Sequence, residues 1–184
     1  MRFPNAQWHL SDILRASGKI AILVGDQALA VWANFYRVAL PPELTANVTR
    51  DADFIGSADT ALAIKASLSN RDWKFYRVSP GAPSPVTAQL TLESSNGIKE
   101  IDFLGSIIGI RTDDLRGRAV TLKLPGDLEV TVLHPLDVLA SRLHNLAELP
   151  EKRNNKGVAH AQLAIGVAGA FLRDPLAHAT ERGL

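Results

Sequence analysis

The chain reads as an α+β protein, a mixed β-sheet flanked by helices with a C-terminal helical segment. Three observations carry that expectation. Short apolar or alternating runs, such as Ile20 to Val24 and Val86 to Leu92, have the periodicity of strands. Two turn signals, Asn96-Gly97 and Pro125-Gly126-Asp127, each join a pair of such runs as a hairpin. Segments with three-and-four apolar spacing separate the strands and take over after His134. The expected division is a sheet-containing core over 1–133 and a helical segment packed on it over 134–184.

Taken in order, Gln7 to Ala16 is an amphipathic helix with Leu10, Ile13 and Leu14 on one side, closed by Ser17-Gly18. Ile20 to Val24 then forms a buried strand. Gly25 breaks the run, and Asp26 stands at the N-cap position of a helix from Gln27 to Tyr36, with an acceptor oxygen for its first-turn N–H groups. Pro41 to Leu44 reads as a loop, and Thr49 to Phe54 as a strand. Ser57 caps a helix from Ala58 to Leu68, and Trp73 to Ser79 returns as a strand. The tract Pro80 to Pro85 is the strongest loop signal in the chain.

Val86 to Leu92 and Ile98 to Leu104 pair through the Ser94 to Gly97 turn, and a short helical turn follows at Thr112 to Leu115. Ala119 to Leu124 and Leu128 to Leu133 make a second hairpin. Pro135 opens a helix whose leucines 136, 139, 143 and 146 line one face. Pro150 to Gly157 is a polar, basic connector, Val158 to Leu172 a long apolar helix, and Asp174-Pro175 starts a final short one.

Composition narrows the functional classes. A chain of 184 residues suits one domain, or one domain with a small helical appendage. With 46% hydrophobic and 21% charged residues it has the means to bury a core. A formal charge of +1 argues against a general attraction to nucleic acid or membrane, and leaves room for a local basic groove. The absence of cysteine excludes disulfides, thiolate metal sites and cysteine nucleophiles. The first residues hold no apolar signal-peptide stretch, and Leu163 to Leu172 is too short to span a bilayer. The expectation is a cytoplasmic protein with no membrane partner. A Ser-His-Asp hydrolase is disfavoured by the lack of a Gly-x-Ser-x-Gly elbow, and His134, His144 and His160 have no metal-ligand spacing.

The strongest chemical signal is Asp51-Ala52-Asp53-Phe54. On a strand, period two puts both carboxylates on one face and the apolar pair on the other. Two carboxylates on one face repel unless a cation lies between them, and oxygen-only ligands suit Mg²⁺.

This strand, Gly-x turn, helix and Asp-x-Asp strand resembles the core of the DNA polymerase β-type nucleotidyltransferase superfamily. The segments Gly25-Asp-Gln-Ala-Leu-Ala-Val-Trp-Ala33 and Thr49-Arg-Asp-Ala-Asp-Phe54 are similar to its bacterial branch, which includes the toxins of abortive-infection toxin–antitoxin pairs. The likeness covers roughly the first two thirds of the chain and, more loosely, the helical remainder. It implies a third carboxylate on a later strand, which Asp102 supplies. It implies catalytic, metal-holding roles for Asp51, Asp53 and Asp102, with Mg²⁺ as cofactor and a nucleoside triphosphate as partner. Gly25, Asp26, Thr49 and Arg50 would lie at the nucleotide, with Arg142 where relatives place a basic residue. The family has Gly or Ser directly after its first glycine, where this chain has Asp26.

Three functional expectations follow. The first is Mg²⁺-dependent transfer of a nucleoside monophosphate to a hydroxyl of a protein, RNA or small molecule. The second is a catalytically degenerate binding module of the same fold. The third is a toxin–antitoxin component with an antitoxin or RNA partner. Lys152, Arg153 and Lys156 are a further basic run, read as a solvated connector or as phosphate or RNA ligands.

Overall fold

The computed structural model describes residues 8–45, 51–68, 72–79, 81–94 and 97–174. Thr49, Arg50, most of the Ser94 to Gly97 turn and the helix expected after Asp174 lie outside them or at their edge. The order of elements is α1 (Trp8–Ser17), β1 (Ile22–Val24), α2 (Gly25–Phe35), α3 (Pro42–Thr45), β2 (Asp51–Ile55) and α4 (Ala58–Ser67). Then come β3 (Lys74–Arg77), β4 (Val86–Ser94), β5 (Gly97–Leu104), α5 (Thr112–Arg118), β6 (Val120–Leu124) and β7 (Leu128–Val132). The chain continues through α6 (Pro135–Glu148), a 3₁₀ turn (Pro150–Lys152) and α7 (Asn155–Arg173).

The expected mixed sheet flanked by helices is present. Its strands run in the order β3-β4-β5-β2-β1-β7-β6. The hairpins β4–β5 and β6–β7 are antiparallel, as the turn signals demand, while β2 pairs parallel to β5 and β1 parallel to β7. Each parallel pairing needs a long crossover, so the local pattern of residues carries no sign of it. Helix α2 packs on β1 and β2, α1 on β7, α4 on β3 and β4, and α7 on α2 and α6.

The core sits on the apolar side of the central strands. Ala52, Phe54, Ile101 and Phe103 are buried, and the rings of Phe54 and Phe103 stack with centroids 6.0 Å apart. A side chain of this size contributes about 2–3 kcal/mol when fully buried. Leu163, Ala164 and Val167 of α7 join the same cluster, so α7 is built into the core. Trp32 Nε1 donates to Leu133 O at 2.7 Å and ties α2 to the chain leaving β7.

Local chemistry explains most boundaries. Ser57 and Thr60 form the reciprocal capping box that starts α4. His134 accepts from Leu136 N ahead of Pro135 at the start of α6. Three expectations need correction. Pro41 to Leu44 is not simply a loop, because Pro42–Thr45 closes one helical turn. The connector after Pro150 holds the 3₁₀ turn and then α7, which begins three residues early because Asn154 Oδ1 accepts from Gly157 N.

The third correction concerns α6. Its leucine stripe is not its buried face. Leu136 and Leu143 are exposed, whereas Asp137 and Val138 are buried. Arg118 holds Asp137 with two bonds, Nε to Oδ2 at 3.0 Å and Nη2 to Oδ1 at 2.8 Å. The bidentate ion pair makes burial of this carboxylate tolerable, and α6 turns this side, not its leucines, inward where it packs on α7 and α2. Among the described residues no helix is long and apolar enough to cross a membrane.

Candidate functional site

The turn between β1 and α2 determines the site's geometry. Gly25 has φ +66°, a left-handed conformation that other residues adopt at a cost. A Cβ at this position would collide with Asp53 Oδ2, so the missing side chain is what lets the α2 terminus and β2 carboxylate approach. This bend starts the helix at Gly25 itself. Asp26 is therefore in the first turn rather than at the N-cap, which is Val24.

The expected carboxylates meet through strand register. Asp53 lies opposite Asp102 in the parallel β2–β5 pair, and Asp51 opposite Glu100. Register partners in a parallel pair share a face, and so do alternate residues of each strand. One sheet face thus carries Asp51, Asp53, Glu100 and Asp102, with the buried phenylalanines beneath on the other. Glu100 was missed in the sequence, although Glu100-Ile101-Asp102 repeats the spacing of Asp51-Ala52-Asp53. Gln89 on β4 donates from Nε2 to Asp102 Oδ1 at 2.9 Å and orients that carboxyl.

Electrostatics single out Asp53. Burial, followed by the like charges of Asp102 and Asp26, pushes its pKa up to about 6; Arg142 opposes the shift and Asp51 adds to it. A carboxylate so poised is short of positive charge. The donor set is all carboxylate oxygen, which suits a hard divalent cation. As the side chains stand, no trio of His, Asp or Glu among the described residues closes into a metal-holding group. The register aligns the candidates without bringing three of them together.

Asp26 faces a different set of groups. Its Oδ1 is 3.2 Å from Arg142 Nη2, and its Oδ2 is 3.5 Å from His160 Nε2 and 4.0 Å from Lys156 Nζ. Arg142 is not at the solvent edge of α6, since its side chain is only 11% exposed. Burial lowers the pKa of His160, with Asp26 pulling the other way. Arg153 leaves the basic run for a structural duty, donating to Leu146 O at 2.9 Å and to Ala147 O at the end of α6. Lys152 and Lys156 remain, and both line a cavity of about 120 Å³ beside Asp26, Arg142 and His160.

The site residues named from the sequence are thus divided. Gly25, Asp53 and Asp102 converge, Asp51 stands on the same face at the exposed end of β2, and Asp26 and Arg142 pair with each other. Thr49 and Arg50 lie outside the described residues. His160 and Lys156 were missed as a unit, although their four-residue spacing at a helix start places them on one face. Neither a protein-family model nor a curated protein sequence matches the chain.

Proposed function

We propose that this protein is a divalent-metal-dependent nucleotidyltransferase, which moves a nucleoside monophosphate from a triphosphate to the hydroxyl of an acceptor. The observation that carries the reading is the in-register pair of Asp53 and Asp102, with Asp53 raised to about 6 and Gly25 packed against its carboxylate. Like-charged, partly desolvated carboxylates are costly, and a site that keeps them has a use for a cation.

Asp53 and Asp102, in register, would hold Mg²⁺, and Asp51 would have to turn in from the same face to join them, with Glu100 opposite it as a further carboxylate. When bound, the metal stabilises negative charge on attacking and leaving oxygens. The chain's own groups do the rest. Gly25, having no side chain, lets the Asp53 carboxylate lie against the first turn of α2, so that a cation held there would sit beside the N–H groups that phosphates would meet. Gln89 fixes one oxygen of Asp102, leaving the other to accept the proton of the attacking hydroxyl. The acceptor oxygen then bonds to the α-phosphorus as the bond to the bridging oxygen breaks and pyrophosphate leaves.

A second reading is favoured by one observation. Arg142, the cation expected at the nucleotide, is paired with Asp26 inside the protein. In that reading the fold is retained as a binding module without catalysis. The two are separated by calorimetric titration of each nucleoside triphosphate with and without Mg²⁺, on wild type and Asp53→Asn. Mg²⁺-dependent binding that disappears in the variant supports transfer chemistry. Binding indifferent to both metal and Asp53 would sink it and leave the module.

A further inference from the structure

The cavity beside Asp26 lies between α6, the 3₁₀ turn and the start of α7. Arg142, Lys152, Lys156 and His160 line it, with Asn154, the N-cap of α7, and Gly157 of its first turn. Three permanent cations there face two carboxylates, Asp26 and Glu151. Arg142 Nε is buried without a hydrogen-bond partner. Burying a guanidinium N–H unpaired is costly, and a wall of donors around such a group is what an anion satisfies. The α7 terminus adds its partial positive charge to the same space.

The cavity is also built rather than incidental. A Cβ on Gly157 would collide with Lys152 O, so only glycine lets the 3₁₀ turn close against α7 and carry Lys152 to the cavity wall. Asp26 is the anion that now answers these donors, but one carboxylate reaches Arg142, His160 and Lys156 at 3.2, 3.5 and 4.0 Å and leaves Arg142 Nε unmet.

We infer that this cavity is a metal-independent subsite for a pyrophosphate group, with Asp26 as an internal counter-anion that the ligand must displace or outbid. The inference rests on the nucleotidyl-transfer reading and extends it by assigning the diphosphate end of the substrate, and the pyrophosphate product, to the α6–α7 cavity. Asp26 makes the subsite selective. A ligand gains entry only if it carries more charge and more acceptor oxygens than the carboxylate it replaces, which favours pyrophosphate over inorganic phosphate. The departure from Gly or Ser after Gly25 then acts as a threshold on ligand charge.

The test is calorimetric titration of the full chain in EDTA with inorganic phosphate, pyrophosphate and ATP. Wild type should bind pyrophosphate more tightly than phosphate. Asp26→Asn should bind both more tightly, pyrophosphate by tenfold or more, or about 1.4 kcal/mol. Lys156→Ala, at an exposed position that the fold does not need, should bind pyrophosphate at least tenfold more weakly. Asp53→Asn should keep pyrophosphate binding, because it removes a carboxylate of the other site. ATP binding with the same Lys156 dependence assigns the group to a nucleotide tail, and ATP binding weaker than pyrophosphate assigns it to the free product. No pyrophosphate binding by wild type and Asp26→Asn, or equal binding by wild type and Lys156→Ala, would overturn the subsite. Mg²⁺-dependent nucleotide binding that needs Asp53 would survive that result, and the loss of such binding would leave a Lys156-dependent subsite standing.

Discussion

Asp26 and Arg142 meet across the junction of α2 and α6, with 3.2 Å between Oδ1 and Nη2. The carboxylate that stands where a helix cap was expected instead neutralises the most buried cation of the site. This pair joins the sheet's catalytic candidates to the C-terminal helices.

Its energetic weight follows from its burial. Removing one partner of a sheltered pair strands the other's charge, whereas removing both with a good apolar fit costs little. Arg142→Met should therefore lower stability by about 2 kcal/mol, and Asp26→Asn combined with Arg142→Met should recover much of it. Urea unfolding of the four proteins gives the coupling directly. A coupling near zero would mean that the two side chains do not interact in solution.

Asp53 sets a pH dependence. Its folded pKa of about 6 lies above the ordinary 3.8, so the folded state holds the proton more tightly than the unfolded chain. That contribution to stability is complete below pH 4 and is lost as pH rises through 6, amounting to about 3 kcal/mol at most. Metal-free Asp53→Asn should be more stable than wild type at pH 8 and no more stable at pH 4. Parallel stability–pH curves for the two proteins would show that Asp53 is not strained by its neighbours.

Gly25 is tied to the same carboxylate. Gly25→Ala must hold a left-handed backbone and push Asp53 away, at a combined cost of about 2–3 kcal/mol. Thermal unfolding should show a lower Tm, with part of the loss restored when Asp53 is also truncated to alanine. If the double variant is no better than the single one, the backbone alone is responsible.

Gly157 offers a contrast between two glycines. Gly157→Ala drives a Cβ into Lys152 O, and backbone has little room to give. Gly117, inside α5, has nothing within 4 Å of an added Cβ. Gly117→Ala should stabilise by about 0.5–1 kcal/mol through helix propensity, while Gly157→Ala should destabilise and raise hydrogen exchange over residues 150–157. Equal effects at the two positions would dismiss the close approach at Lys152.

Much of the fold was legible in the sequence because its cues are local. The apolar run before Gly25, the capping serine before α4 and the Pro125-Gly126-Asp127 turn each act within a few residues. The Asp-x-Asp spacing was legible for the same reason. What escaped is decided at a distance. The leucines of α6 looked like a core face, but packing on α2 and α7, elements distant in the chain, decides which side is buried, and it shelters Asp137 and Arg142 instead. Asp26 looked like a cap because Gly25 gave no sign that the helix would start on a left-handed residue. Lys156 looked like part of a solvated connector and His160 like a member of an apolar helix with no metal-ligand spacing, and only the distant α2 brings Asp26 to both.

The parallel join of β2 to β5 has a kinetic consequence. The meander β3–β4–β5 and the hairpin β6–β7 close over short stretches, whereas the β2–β5 and β1–β7 seams join segments far apart in the chain. Long-range closures cost the most entropy and tend to be slow. The repulsion between Asp53 and Asp102 is therefore met at a late seam of folding. Neutralising Asp53 should slow unfolding more than it speeds folding, a split that stopped-flow traces would reveal. The row of carboxylates is then the zip by which the molecule opens, and a cation bound there would act as its clasp.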